Sequence, residues 1–309
     1  MSQTFEAEIL DGLRCSPKEI PCKYFYDQRG SQLFDRICDL PEYYPMRTEQ
    51  SIMDRYVDEM VDQIGPGVML VEYGSGSSIK TRRLLERLDD PVAYVPVDIS
   101  REHLLLSAKQ IADDFPHTEV LPVCADFTED FQLPKSKREP THAAVYFPGS
   151  TIGNFVPDKA QEVLAKIAPL CGRRGGLLIG IDLQKDVDVL ERAYNDSRGV
   201  TAEFNLNLLH RIGRELETDL EPDGFRHHSF YNSDKHRIEI YIRSAREQQV
   251  RIGSETFFFA EDELIHTEYS HKYTIEEFAE TARTAGLQLR KSWTDEREYF
   301  AVLHLITID

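Results

Sequence analysis

The chain has 309 residues, 54 acidic against 36 basic side chains, a formal net charge of −18, and 41% apolar and 29% charged residues. That is the make-up of a globular protein, and its negative charge argues against a nucleic-acid or phospholipid partner and for a small-molecule substrate. Five cysteines without a C-x-x-C pair argue against a disulfide framework or a metal site, no apolar run approaches a membrane span, and the acidic N-terminus does not read as a signal peptide, so a cytoplasmic chain is expected.

Phe5, Ile9, Leu10 and Leu13 predict a short helix ending near Ser16-Pro17. Lys23 to Phe34 is dense in aromatics, and its Asp27-Gln28-Arg29-Gly30-Ser31 reads as a turn. In Leu40 to Glu49 two prolines bracket Tyr43 and Tyr44, which predicts a stiff loop, with Thr48 capping a helix that begins at Glu49. These tyrosines serve equally as core filler or as pocket lining.

From about residue 60 the pattern becomes strand–turn–helix. Val68-Met69-Leu70-Val71 reads as a buried strand, Gly74-Ser75-Gly76 as a tight turn, and Arg82 to Leu88 as a helix with leucines at helical spacing. Ile79 stands where a third glycine would complete the dinucleotide pattern, so a NAD-type reading is the weaker one. A second strand, Val92 to Val97, leads into Asp98, about twenty residues past the turn, where a ribose hydroxyl is expected. A third, Val120 to Cys124, leads into Asp126-Phe127, an acid and an aromatic suited to an adenine amine and ring. Turn, ribose acid and adenine acid in this order resemble the S-adenosylmethionine-dependent methyltransferases. The bland alternative is an α/β domain whose strand-end acids only cap helices.

Ala143 to Phe147 predicts the fourth strand. It runs into Pro148-Gly149-Ser150-Thr151-Ile152-Gly153-Asn154-Phe155, a loop at the carboxyl end of a sheet strand, where open α/β sheets place ligands. Its small residues, its amides and Asn154 make it a candidate substrate loop. A helix follows from Pro157, then a fifth strand from Gly175 to Asp182. Residues about 187 to 286 break the alternation. Two helical stretches, Val189 to Tyr194 and Thr201 to Ile212, precede runs of period two at Phe225 to Tyr231, Arg237 to Arg243 and Gln249 to Ile252, which read as antiparallel strands with Asn232-Ser233-Asp234-Lys235 as a hairpin turn. Leu264 to Tyr273 is extended, and Thr274-Ile275-Glu276-Glu277 opens a helix with a capping-box pattern. Leu287 to Thr294 and Tyr299 to Leu305 predict a closing hairpin.

The expected fold is therefore α/β, a Rossmann-like class I methyltransferase sheet with an inserted α+β substrate-binding domain. The expected boundaries are 61–194 with 287–309 for the donor domain, and 1–60 with 195–286 for the substrate-binding or lid domain.

Phe25-Tyr26-Asp27, Leu40-Pro41-Glu42-Tyr43-Tyr44-Pro45, Gly74-Ser75-Gly76, Gly149 to Asn154, Ala193-Tyr194, Gly199 to Asn205 and Thr267-Glu268-Tyr269-Ser270 occur together here. Through these segments the chain, from about residue 17 onward, resembles the histidine Nα-methyltransferases of ergothioneine biosynthesis. The resemblance implies S-adenosylmethionine as methyl donor, S-adenosylhomocysteine as its product, no metal, L-histidine as acceptor, and hercynine formed by three transfers to one α-amino nitrogen. It further implies a donor site of Gly74, Gly76, Lys80, Asp98, Asp126 and Phe127, with Tyr26 and Phe34 bordering the reacting centre. Tyr43, Asn154 and Tyr194 match the residues that hold the amino acid's carboxylate and amine, with Gly149 and Thr151 beside them. Glu268 and Ser270 match the pair that holds the imidazole, and Tyr43 and Asn154 are the pair expected to aim the nitrogen. A carboxylate and a hydroxyl two residues apart on a strand suit two ring nitrogens. Ile240 replaces a methionine of the family pattern, which alters pocket shape. A monomer is expected. The rival readings are an Nα-methyltransferase for tryptophan or tyrosine, a generic small-molecule or protein methyltransferase, and a non-catalytic binding module.

Overall fold

Val68–Tyr73 is buried at each of its six positions, which a strand tolerates only in the middle of a sheet covered on both faces. The computed structural model, which describes residues 2–76 and 79–308, places it so. Ser77 and Ser78 of the glycine-turn stretch lie outside the described residues. The described strands form a sheet in the order Leu287–Thr294, Phe300–Thr307, Gly176–Asp182, His142–Phe147, Val68–Tyr73, Ala93–Asp98 and Glu119–Val120, with Val123–Cys124 also pairing Ala93–Asp98. Strands Gly176–Asp182 through Ala93–Asp98 run parallel, and the last hairpin is antiparallel to them. Strand order reverses at Val68–Tyr73, so the turn at Gly74 and the loop at Gly149 leave neighbouring strands at the topological switch point. The expected third strand is interrupted into Glu119–Val120 and Val123–Cys124 around Pro122, which has no amide hydrogen for the ladder.

The chain forms two compact units, Met1–Tyr43 with Asp186–Ser270, and Tyr44–Lys185 with His271–Asp309. These limits differ from the expected ones, and core packing explains why. Helix Tyr44–Ile64 buries Ile52, Met53, Val57 and Met60 among Leu70, Tyr146 and Val302 of the large sheet. Helix Ile275–Thr284 buries Phe278 and Ala282 against the opposite face of that sheet. Helix Val187–Tyr194 falls in the first unit. The helix assigned to Glu49 onward begins at Tyr44. Thr48 is inside it, its hydroxyl donating to the Tyr44 carbonyl at 2.9 Å, and Pro45 sits in the first turn, where no amide is needed.

The first unit carries a four-stranded sheet in the order Lys18–Glu19, Leu264–His271, Arg237–Ser244, Phe225–Asn232. The last two form the expected hairpin, Phe225 opposite Ser244 through Asn232 opposite Arg237. Gln248–Ile252 pairs with Glu255–Phe259, a strand that period counting passed over because Phe257-Phe258-Phe259 shows no alternation. The expected turn at Asp27 to Ser31 is instead the start of helix Gln28–Cys38. Asp27 caps it, accepting the Gly30 amide at 2.7 Å, and a Cβ at Gly30 would lie 1.7 Å from the Phe25 carbonyl oxygen.

All three passages of chain between the units are fastened, on the side of the second unit, to one carboxylate. Asp182 is 1% exposed. It accepts the Tyr44 hydroxyl at 2.8 Å, the Lys185 ammonium at 2.5 Å and the Lys272 ammonium at 2.7 Å. Tyr44, Lys185 and Lys272 stand at or within two residues of the crossings 43/44, 185/186 and 270/271. The Asp182 amide donates to Ser150 Oγ at 2.9 Å, so the same residue steadies the loop after His142–Phe147. Burial alone would raise the Asp182 carboxyl, but Lys272 and Lys185 outweigh it and hold the carboxyl below its ordinary value. Its stabilisation is therefore present above the unfolded carboxylate pKa of about 4 and is lost as pH falls through the lower folded value. Asp182→Asn, which leaves two ammonium groups beside a neutral amide, is expected to lose about 3 kcal/mol at pH 7. Denaturant titration at pH 7 and pH 3 checks this, and the gap between variant and wild type narrows at the lower pH.

Candidate functional site

In the second unit the residues expected to hold the donor gather at the carboxyl ends of adjacent strands. Gly74 and Gly76 adopt φ of +69° and +47°, and a Cβ at either would meet no atom of the described residues within 4 Å. The turn is tied back to the next strand. The Gly74 amide donates to the Val97 carbonyl at 2.9 Å and the Gly76 amide to the Asp98 carboxylate at 3.3 Å. Asp98 ends Ala93–Asp98 and also accepts the Ser100 amide at 2.8 Å. Burial raises its carboxyl, and these amides act against the shift. A glycine turn with a carboxylate at the end of the following strand fits an adenosyl donor.

Asp126 accepts both the amide and the hydroxyl of Thr128, at 3.0 and 2.6 Å, so part of its capacity shapes its own loop. The Phe127 ring stacks on Tyr73 at 5.1 Å and meets Phe147 and Phe155 edge-on, packing against the sheet's core. Lys80 is buried and paired with the fully buried Glu49, whose carboxylate also accepts the Gly149 amide at 3.0 Å. Lys80 and Gly149, expected in two different roles, thus share one partner. Glu49 escaped sequence reasoning, although it stands three and four residues before Ile52 and Met53 on a core-facing stripe, where a carboxylate is unusual.

Gly149 opens the candidate substrate loop at φ +77°, followed by Ser150 at +59°. The 3-10 turn Thr151–Asn154 is held at both ends. Thr151 Oγ1 donates to the Pro148 carbonyl at 3.0 Å, and His271 Nδ1 lies 2.9 Å from the Gly153 carbonyl oxygen. Asn154 ends the turn, half-buried.

The first unit assembles the remaining candidates. Tyr26 meets Phe34 edge-on at 5.8 Å, Phe34 meets Tyr43 at 6.3 Å, and Tyr43 meets Tyr194 at 6.2 Å. The Tyr194 hydroxyl is 2.7 Å from Ser270 Oγ. Burial, then the neighbours Tyr194, Cys38, Tyr26 and Glu268, push the Tyr43 phenol well above its ordinary value. Tyr43 is therefore a hydroxyl and not a phenolate at neutral pH, and Glu268 is among the groups it senses. Tyr26, expected beside the donor, belongs to this aromatic row.

Asn205 and Phe204, which belong to a family segment but had no assigned role, explain how the row is held. Phe204 packs on Tyr26 and Phe34 at 5.8 and 5.9 Å. Asn205 is 1% exposed. It accepts the Thr267 hydroxyl at 2.9 Å and donates to the Tyr241 carbonyl at 2.8 Å. Thr267 also bonds the Ile240 carbonyl at 3.1 Å, locking the strand of Glu268 and Ser270 to that of Ile240. The available signal was an amide on the apolar stripe that includes Phe204, Leu208 and Ile212.

The sequence matches, over residues 5–307, a family described as histidine-specific methyltransferase, SAM-dependent. A histidine N-alpha-methyltransferase of Mycolicibacterium smegmatis is 39% identical over 301 residues, covering 95% of this chain and 92% of that one. Ergothioneine biosynthesis protein 1 of Neurospora crassa is 32% identical over 94% of this chain and 33% of that longer protein. Among solved structures, an S-adenosylmethionine-dependent methyltransferase from Clostridium acetobutylicum has a TM-score of 0.52 at 10% identity, over 90% of this chain and 99% of that one, a likeness of fold.

Glu72, buried at the strand end before the glycine turn, gives the donor half a pH response. Burial raises its carboxyl to about 7, against the hydrogen bond from the Tyr94 hydroxyl and the charge of Lys80. The folded state then holds a proton that the unfolded chain releases near pH 4.5. Its contribution to stability is full below that pH and is lost as pH rises through about 7. Glu72→Gln, neutral throughout, is expected to cut by about 2 kcal/mol the stability lost between pH 5 and pH 8. Paired denaturation curves at the two pH values check this.

Proposed function

The chain belongs to the histidine-specific, S-adenosylmethionine-dependent methyltransferase family, and we propose that it methylates the α-amino nitrogen of L-histidine three times, giving hercynine in the first step of ergothioneine biosynthesis. The observation that carries this reading is the grouping around Tyr43: Tyr194 against its ring, Ser270 bonded to Tyr194, and Glu268 two residues before Ser270 on the same strand. A carboxylate and a hydroxyl in one neighbourhood match the two nitrogens of an imidazole, and a side chain without those nitrogens would leave them unpaired.

S-adenosylmethionine supplies an electrophilic methyl group on a sulfonium and leaves as S-adenosylhomocysteine. In each round one nitrogen–carbon bond forms, one carbon–sulfur bond breaks, and the nitrogen must be neutral when it attacks. An α-amino group titrates near ~8, so a minority is neutral at pH 7 and no strong base is required. The side chains chiefly align the reactants. Gly74, Gly76, Lys80, Asp98, Asp126 and Phe127 are assigned to the donor, with Tyr26 bordering the reacting centre. Tyr43 and Asn154 are assigned to aiming the nitrogen, with Gly149 and Thr151 shaping the loop. The raised Tyr43 phenol suits this role, since it stays a hydrogen-bond donor. Phe34 and the tyrosines present ring faces that favour a substrate becoming permanently cationic. Ile240 shapes the pocket beside the imidazole pair.

Mass spectrometry of the purified protein with donor and each standard amino acid in turn is expected to show a product three methyl groups heavier only with histidine. Methylation of tryptophan or tyrosine in its place would reject the assignment. Asn154→Ala is expected to slow turnover far more than it weakens donor binding. Glu268→Ala is expected to raise KM for histidine about tenfold to a hundredfold, the loss of a charged hydrogen bond, with donor affinity unchanged; steady-state kinetics and calorimetry measure both.

A further inference from the structure

Glu49 is 0% exposed, on the second turn of helix Tyr44–Ile64. Its carboxylate reaches two segments. One is the segment after the glycine turn, through the Lys80 ammonium. The other is the loop after His142–Phe147, through the Gly149 amide, at 3.0 Å to one oxygen and 3.2 Å to the other. A Cβ at Gly149 would stand 3.8 Å from Lys80 Nζ, so lysine and loop are themselves neighbours. Room for the carboxylate is built into the sheet: at Gly180 a Cβ would lie 2.5 Å from Glu49 Oε1. A charge taken this far from water is tolerated only when paired and hydrogen-bonded, and both partners here belong to segments the family pattern marks.

We propose that Glu49 is a positioning residue of the methyl-transfer site, holding the Lys80 ammonium and the Gly149 amide in one geometry so that the donor-binding lysine and the start of the acceptor loop are set together. The inference rests on the roles given above to Lys80 and to the loop Gly149 to Asn154. Glu49 touches neither substrate. It acts by denying Lys80 its other orientations and by fixing the amide that precedes the strained Ser150. Helix Tyr44–Ile64 thereby serves the segments that follow both strands of the switch point, with Tyr44 on Asp182 and Glu49 on Lys80 and Gly149.

The test is a double-mutant cycle on S-adenosylhomocysteine affinity, measured by calorimetry on folded protein, which is independent of the acceptor's identity. Glu49→Gln keeps the shape and removes the charge, and is expected to weaken binding about tenfold. Because it leaves Lys80 buried and unpaired, this variant is also the one at risk of not folding. Glu49→Gln combined with Lys80→Met removes both charges and restores a neutral interior. The double variant is expected to bind S-adenosylhomocysteine within about twofold of Lys80→Met alone, because Glu49 then has no donor-binding lysine left to position. A further loss of about tenfold in the double variant, or wild-type affinity in Glu49→Gln, overturns the proposal. A second readout follows the loop: at saturating donor, Glu49→Gln is expected to lower kcat for methylation. If the cycle shows the coupling and no amino acid is methylated, the acceptor reading fails while the role of Glu49 in donor binding stands.

Discussion

A buried carboxylate must be paired or neutral, and Asp182 is kept charged by two lysines that are themselves buried. Because an ammonium in that place is stable only against the carboxylate, Tyr44, Lys185 and Lys272 have little freedom, and with them the three segments that enter and leave the large-sheet unit. Burial lowers the Lys185 ammonium to about 8 even with Asp182 beside it, a measure of how dry the cluster is. The Asp182 amide reaches Ser150, and Ser150 sits in the left-handed region at the head of the candidate substrate loop. A backbone conformation of that kind persists where its surroundings over-determine it. Here they include the Asp182 amide on Ser150, the Glu49 carboxylate on Gly149 and the His271 ring on Gly153.

The same logic recurs at smaller scale. Glu49, Glu72, Asn205 and Asn207 occupy buried positions where an aliphatic side chain would pack more simply. Glu49 joins the helix after the glycine turn to the loop that opens at Gly149. Glu72, at the strand end before the glycine turn, takes a hydrogen bond from the Tyr94 hydroxyl. Asn205 links its helix to the strands of Tyr241 and Thr267, and Asn207 donates to Asp27, the residue that caps the helix carrying Phe34. A hydrogen-bonded buried polar group has few alternative geometries, which makes it a better positioner than a hydrophobic contact. The family segments make sense in this light. In Gly199 to Asn205, Asp196 just upstream caps the helix through the Val200 and Thr201 amides, Phe204 backs the aromatic row, and Asn205 locks the strand beside Glu268.

The two groups of candidate residues show different construction. Around the glycine turn, charged and amide groups hold backbone in place, and among the described residues none crowds Gly74 or Gly76. Around Tyr43 the neighbours are chiefly aromatic, with the Ser270 hydroxyl on Tyr194. The first suits a ligand recognised by hydrogen bonds to its sugar and base. The second suits a small cation recognised by ring faces and two polar contacts.

Local pattern alone determined the strand–turn–helix order, the glycine turn, the strand-end acids and the hairpin of the inserted segment, because each is written in periods of two or 3.6 and in residues with special backbone freedom. Recognisable short segments likewise determined the family and, through it, the candidate residues. Tertiary structure alone decided where the compact units divide, since that depends on which core Ile52, Met53 and Phe278 bury themselves in. It alone turned Asp27 to Ser31 from a turn into a helix start, because the constraint at Gly30 comes from the Phe25 carbonyl. Above all it decided the partners of buried charge. Glu49 and Lys80 lie 31 residues apart and Asp182 and Lys272 90 apart, and no local period carries information over such distances.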